Sequence, residues 1–280
     1  MSGDILTRST AHWSEAGRKG MDAFYTLATD DYRYLAEARD WAGWLRDAQD
    51  RAGNRSLRLL DVACGSGKFP NALVRHADLA EAGLRPVATD LLDPSAFSIA
   101  EARAALPAPF MPAAEHETTL QDFIPPPDGY DIVWATHALY AVPPRDLPLA
   151  AERFCEAIGP KARGVIAHSA AEGHYVEFHR RYLAAFGQAN AAPYISAEDL
   201  AAALRAAGAQ VDVTEVRYDS AADPEATSAV EGYLQRCVFD DSVSLADMQA
   251  KAPVSDWLDA CQAADGWRFP QVVHLMDVTV

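Results

Sequence analysis

Apolar positions in this chain fall into two regimes. Over residues 1–55 they recur at helical spacing. In "DDYRYLAEARDWAGWLRDAQD", Tyr34, Trp41, Trp44 and Leu45 form one amphipathic stripe in a segment that also holds Trp13, Phe24, Tyr25 and Tyr32. After the turn-like "AGNRS", short apolar runs begin to alternate with amphipathic ones. "LRLLDVA" predicts a buried strand, "KFPNALVRHADLAEAG" a helix ending at Gly83, "RPVATDL" a second strand, and Asp93–Pro94 the start of the next helix. A third strand is expected near Glu117 to Leu120, followed by a proline-rich loop. "YDIVWATHAL" and "ARGVIAHSA" predict the fourth and fifth strands, with the helix "RDLPLAAERFCEAIG" between them. Helices over 173–187 and 196–207 follow, the second opened by a Ser196–Asp199 capping pattern. "AQVDVTEVRYD" alternates as a strand, residues 220–266 read as a helical insertion, and "RFPQVVHLMDVTV" supplies the last strand. No internal repeat interrupts the series.

This alternation predicts an α/β fold, a parallel sheet with helices on both faces. Its divisions are an N-terminal helical cap or lid over 1–55 and a main domain over 56–280 that includes the insertion 220–266. Ligands of such sheets bind beyond the carboxyl ends of the strands, where the strand order switches. The loops after the strands are therefore where chemistry is sought.

Composition narrows the partners. With 280 residues, half of them hydrophobic, the chain has enough material for a full core. It has neither a run of ~20 apolar residues nor the apolar core of a signal peptide, so a cytoplasmic protein is expected. The net charge of −16, from 40 acidic and 24 basic residues, disfavours nucleic acid and anionic membrane surfaces and suits a small or cationic partner. Cys64, Cys155, Cys237 and Cys261 form no CxxC pair. The i, i+4 histidine spacing of a helical metal site is also missing, so no metal is expected.

The first strand ends in Asp61 and runs into "ACGSG", whose small residues allow a ligand close approach to the backbone. Asp90 follows Gly65 by 25 positions, a separation that suits an acid binding the hydroxyls of a ribose. The loop departs from G-x-G-x-x-G: Lys68 and Phe69 stand where a third glycine would serve a pyrophosphate, which argues against a nicotinamide dinucleotide. An acid just before the loop would repel phosphate but accept from an ammonium group. A cofactor with an α-amino acid and a ribose, and without phosphate, suits both features: S-adenosylmethionine.

Taken in order, "LLDVACGSG", "VATDLLD", "LQDF…GYDIVWATHALYAV" and the terminal strands resemble the class I S-adenosylmethionine-dependent methyltransferases, over roughly residues 55–218 and 269–280. The resemblance implies a Rossmann-like, seven-stranded, mostly parallel sheet. It also implies that Ala63, Cys64, Gly65 and Gly67 cradle the methionine part of the cofactor, with Asp61 beneath them. Asp90 would bind the ribose and Leu91 the adenine face. Asp122 would accept from the adenine amino group, beside Gln121 and Phe123.

At the exit of the fourth strand, Thr136, His137 and Tyr140 are expected to face the cofactor or acceptor, with His137 and Tyr140 as the catalytic candidates. His137 reads equally as a general base or as a positioning group. Substrate contacts are expected from Tyr25 and Tyr32 of the cap, where a lid over a cationic ligand competes with plain aromatic core. His168, His174 and Tyr175 after the fifth strand are expected to add a polar wall. In the insertion, Tyr233, Phe239, Trp257 and Trp267 read first as packing. The expected activity is methyl transfer to a small-molecule acceptor. Cyclisation of the cofactor, as in the azetidine-2-carboxylate synthases, and cofactor binding without turnover are the alternatives.

Overall fold

The structure, a computed structural model, describes residues 5–187 and 191–280. The first four residues of the expected cap lie outside them. The chain opens with helices α1 (Ile5–His12), α2 (Arg18–Glu37) and α3 (Trp41–Ala52), with one 3₁₀ turn, Glu15–Gly17, between α1 and α2. Strand β1 (Leu57–Val62) follows, then α4 (Lys68–His76), β2 (Val87–Asp93), α5 (Ala96–Ala105), β3 (Phe110–Glu117) and β4 (Tyr130–Thr136). After α6 (Leu147–Ala157), β5 (Ile158–Ser169), α7 (His174–Phe186) and α8 (Ala197–Ala206), the long β6 (Gln210–Ala222) enters the helical insertion. The insertion comprises α9 (Thr227–Val238), α10 (Leu245–Gln249) and α11 (Val254–Cys261). The two-residue β7 (Gln262–Ala263) and β8 (Gly266–Thr279) close the chain.

The sheet runs β3-β2-β1-β4-β5-β8-β6, with β7 attached to β8. Strands β1 to β5 pair in parallel, and β8 lies antiparallel between β5 and β6. This is the expected seven-stranded, mostly parallel plan, with one short eighth strand. Its order switches between β1 and β4, which opens a crevice at their carboxyl ends.

Several boundaries moved. The third strand lies at Phe110–Glu117 rather than Glu117–Leu120, because Val87 to Asp93 of β2 pair with that earlier run. Apolar residues Leu91 and Leu92 carry β2 on to Asp93, so α5 is capped by Ser95, whose side chain accepts from the Ser98 N–H. Helix α4 stops at His76, since Asp78 takes a left-handed φ of 52°. The Ser196–Asp199 pair forms a complete capping box on α8.

On one face of the sheet, α6 and α8 bury Phe154, Leu200 and Leu204. On the other, α3 and α4 bury Trp41, Leu45, Phe69 and Leu73 against Leu59, Ile132 and Trp134. The Trp41 stripe is therefore core of the main sheet. Arg39 clamps the α2–α3 junction to β8 through two bonds to Asp277, at 2.8 and 2.7 Å. A third cluster joins α2, α7 and the insertion around Phe178, Tyr233, Trp267 and Phe269.

Phe69 opens α4 directly behind the Gly65–Gly67 loop and meets Trp41 and Trp134 edge-on, with centroids at 5.3 and 5.1 Å. These contacts fix where α4 begins, and with it the loop. Phe69→Ala is expected to destabilise the fold by about 3–5 kcal/mol. Urea denaturation will show this as a lower midpoint with an unchanged slope.

Candidate functional site

A deep cavity opens at the carboxyl ends of β1, β2 and β4. Asp61 and Val62 reach it from β1, Leu92 and Asp93 from β2, and Thr136 from β4. Ala63, Cys64, Gly65 and Ser66 form its floor. The loop turns through left-handed backbone at Ala63 (φ 50°), Gly65 (φ 52°) and Gly67 (φ 68°). A Cβ on Gly65 would meet no atom within 4 Å, so the loop leaves open space there. At Gly67 it would come 3.2 Å from the Ala102 Cα, and Gly67 is not on the cavity wall. Gly67 thus lets α4 approach α5, while Gly65 bares the backbone to the cavity.

The second acid differs from expectation. Asp90 turns away from the cavity, accepting from the Tyr130 hydroxyl at 2.7 Å and the Ala114 N–H at 3.1 Å, with His116 Nε2 at 3.3 Å. Asp93, three residues on, lies on the cavity wall and accepts from the N–H groups of Gly65 (3.2 Å) and Ser95 (2.9 Å). Leu91 is fully buried beside Cys64 and Ile99, away from the opening. Past β3, Thr119, Leu120 and Gln121 line the cavity. Asp122 instead faces solvent and accepts from the Thr119 hydroxyl at 2.7 Å, and Phe123 is core, against His116.

The opposite wall is aromatic. Trp13, Phe24, Tyr25 and Tyr32 of the N-terminal segment face Tyr140, Tyr175, Tyr194 and Phe239. Tyr25 bridges to the glycine loop, accepting from Ser66 at 3.3 Å while Lys68 Nζ lies 4.4 Å from its ring centre. Two elements pin the turn over this wall. Ser95 donates to the Trp13 carbonyl at 2.8 Å. Arg236, itself buried, donates to the carbonyls of His12 and Gly17, the latter at 2.8 Å, and lies over the Trp13 ring.

His137 sits on the wall in a left-handed conformation (φ 50°), its N–H bonded to the Ala167 carbonyl at 2.8 Å. Nδ1 is 2.9 Å from the Tyr140 hydroxyl, which accepts from the Ser169 N–H at 3.2 Å, and Nε2 is buried with no partner among the described residues. Burial, and then His168, lower its pKa to about 3, so the ring is neutral.

His168 and His174 miss the cavity. His168 is buried beneath Tyr140, stacked at 4.0 Å, with Nε2 at 3.0 Å from the Ile195 carbonyl. His174 is packed between Phe178 and Tyr233 and accepts from the Trp257 indole at 3.2 Å. In the insertion, Phe239 reaches the cavity, whereas Tyr233, Trp257 and Trp267 pack. Among the described residues no group of three or more His, Cys, Asp or Glu is placed to hold a metal ion, and no helix is long and apolar enough to cross a membrane.

Sequence reasoning missed Asp31. It lies on α2 next to solvent-facing Asp30, yet it is 2% exposed and on the cavity wall. Tyr175 donates to its Oδ2 and Ser220 to its Oδ1. Burial pushes its pKa up to about 7 against these hydrogen bonds. Asp61 is likewise raised to about 7 by burial and by the nearby Asp93, with the Trp134 indole opposing, and burial raises Asp93 to about 6.

A methyltransferase-domain family model matches residues 32–213. The chain belongs to this family, within the class I S-adenosylmethionine-dependent methyltransferases. No curated protein sequence matches it. Among solved structures it is similar to the magnesium protoporphyrin IX methyltransferase of Synechocystis PCC 6803 with bound SAH, at 13% identity and a TM-score of 0.56, covering 99% of this chain and 100% of that one. The same enzyme with bound SAM aligns at 12% identity and a TM-score of 0.54, over 100% and 99% of the two chains. The YcgJ protein of Bacillus subtilis aligns at 12% identity and a TM-score of 0.52, over 85% and 96%. At these identities the likeness is one of fold. The cavity occupies the crevice where that fold takes its ligands, and the open floor at Gly65 beside Asp93 fits a nucleoside bearing an amino acid.

The buried groups set a pH dependence. His137, His174 and His179 are lowered to about 3 and His168 to about 4, so in the fold they stay neutral where the unfolded chain takes up protons. Stability therefore falls as pH drops below ~6.5. The three raised carboxyls act oppositely, because folding keeps them protonated where the unfolded chain has released the proton. Asp31→Asn is expected to raise Tm at pH 8 and to steepen the loss between pH 7 and 5, as read by thermal denaturation across that range.

Proposed function

We propose that the chain transfers a methyl group from S-adenosylmethionine to a small-molecule acceptor held in the aromatic part of the cavity. One observation carries this reading: a single cavity joins the bare floor at Gly65 and Asp93 to a wall of tyrosine rings. Asp93 would accept from the ribose hydroxyls, Thr119 and Gln121 would flank the base, and the Ala63–Ser66 backbone with Asp61 would take the amino-acid end. The cofactor supplies a methyl group on a sulfonium, open to in-line attack.

The chain's own contribution is alignment and exclusion of water, which can supply roughly 7–11 kcal/mol at best. Tyr32, Tyr140 and Tyr175 line the region where the reaction would occur, and aromatic rings attract positive charge. With its pKa held near 3, His137 is a weak proton acceptor, so we assign it to positioning through its unpartnered Nε2. The pinned N-terminal turn adds Ser9, Thr10 and Trp13 to the cavity wall.

Two measurements test the reading. Calorimetry should show S-adenosylmethionine binding to the wild type, weakened by about 10–100-fold in Asp93→Asn, the scale of losing a charge-assisted pair of hydrogen bonds. Asp90→Asn should change the affinity less than about threefold, its partners lying outside the cavity. Mass spectrometry with an acceptor panel should then report S-adenosylhomocysteine. Methylthioadenosine formed from S-adenosylmethionine alone would replace methyl transfer with cyclisation, and binding without any product would leave a non-catalytic binder.

The pinning of the turn also has a direct test. Arg236→Met removes both bonds to the N-terminal turn while keeping its bulk. Hydrogen exchange over residues 5–17 is expected to quicken at least about tenfold, from the loss of two charge-assisted bonds. Release of S-adenosylmethionine should quicken with it.

A further inference from the structure

Asp31 serves none of the contacts assigned to the cofactor, yet it is held from three other elements. Tyr175 of α7 donates to one oxygen and Ser220 of β6 to the other, at 3.4 Å. Gln271 of β8 donates to Ser220 at 3.1 Å and to the Tyr233 hydroxyl at 3.0 Å. Asp31, Ser220, Gln271 and Tyr233 are each 2% exposed or less, so the carboxyl is fixed by a network out of reach of bulk water.

A carboxyl this deep ordinarily pairs with a guanidinium or ammonium group. Among the described residues Asp31 has no such partner. The groups facing it are the phenols of Tyr32, Tyr140, Tyr175, Tyr218 and Tyr233, the thiol of Cys237 and, from its own helix, the carboxylate of Asp30. None of them is a cationic side chain. Rings and one carboxyl on the wall of a cavity make a receptor for a cation.

Resting on the reading of this cavity as an S-adenosylmethionine site, we propose that Asp31 receives the ammonium group of the nucleophile and takes its proton, so that the attacking atom is an amine nitrogen. The N–H bond breaks, its electron pair stays on nitrogen and the proton passes to a carboxylate oxygen of Asp31. The lone pair then forms the N–C bond, and the C–S bond breaks with its pair going to sulfur, which leaves as a neutral thioether. Burial lowers an amine's pKa as it raises a carboxyl's, which narrows the gap the proton must cross. The amine has two sources. An acceptor molecule's amine gives a methylamine and S-adenosylhomocysteine. The cofactor's own α-amine, turned toward Asp31 instead of Asp61, gives a ring and methylthioadenosine.

The test uses the full chain as wild type, Asp31→Asn and Tyr175→Phe. Calorimetry of S-adenosylmethionine binding comes first, and wild type that binds none overturns the methyl-transfer reading and this proposal with it. 2-Phenylethylamine and its neutral counterpart 2-phenylethanol are then titrated into protein saturated with S-adenosylhomocysteine. The amine is expected to bind at least about tenfold more tightly than the alcohol, the scale of one added cation contact, and Asp31→Asn should erase the difference. Tyr175→Phe should keep the preference and move the pH midpoint of amine binding upward, since the lost hydroxyl favours the ionised carboxyl. Separately, S-adenosylmethionine alone is incubated with wild type and Asp31→Asn. Methylthioadenosine that depends on Asp31 supports the proposal with the cofactor's own amine as the source. Equal binding of amine and alcohol with no methylthioadenosine overturns it while leaving cofactor binding intact. An Asp31→Asn protein that keeps the amine preference or the methylthioadenosine overturns it as well.

Discussion

Three buried carboxyl groups on the wall of one cavity, none paired with a cation among the described residues, are the constraint around which this molecule is built. Asp61, Asp93 and Asp31 come from β1, β2 and α2, and burial raises all three toward neutrality. Leaving such groups unmatched costs stability, and the fold limits that cost with neutral donors. The Gly65 and Ser95 N–H groups serve Asp93, and Tyr175 and Ser220 serve Asp31. Lys68 and Arg236 also line the cavity, but each lies over an aromatic ring of its wall and pairs with none of the three carboxyls, so a sulfonium with an amino group would meet carboxyls that have no cation beside them.

Strain gathers in the same place. Ala63, His137 and Phe239 have positive φ without being glycine, and all three line the cavity. Residues so placed each cost about 1–3 kcal/mol and persist only where the surroundings over-determine them. The Trp41–Phe69–Trp134 contacts behind the glycine loop provide that support, as does the Ala167 carbonyl that holds the His137 N–H. The rigidity of the site thus originates in the layer beneath it. The N-terminal turn is held both by packing, Ile5 and Trp13 lying in a cluster with Tyr194 and Phe239, and by Ser95 and Arg236 bonding to its carbonyls.

The fold was legible because its signals are periodic. Apolar runs ending in Asp61 and Thr136 mark strands whose exits must face the crevice once the sheet is parallel. The site was legible only as far as strand ends could be located. Asp90 and Asp93 lie on the same strand, and the pairing of Leu91 and Leu92 with both β1 and β3 shows that β2 continues to Asp93. His168 and His174 look like rim residues in sequence, because a histidine after a strand is written the same way whether it faces a ligand or a packed ring. Asp31 carried no signal at all. It follows Asp30 in a polar helix, and one step of about 100° around the helix separates a solvated carboxylate from a buried one.

The same burial sorts the candidate proton acceptors of the cavity. Desolvation penalises the charged form, so it pushes a carboxyl up and an imidazole down. From ordinary values on either side of 5, Asp31 moves to about 7 and His137 to about 3. In water the histidine would be the residue poised near neutrality and the aspartate a spent base. In this cavity the order is reversed. The carboxyl can take up a proton near pH 7 and lose it again, whereas the imidazole stays neutral and is left with its hydrogen bonds. The reversal needs no special partner for either group, only their burial and, among the described residues, no cation beside Asp31. It therefore depends on the pinned turn above as much as on the network that holds Asp31.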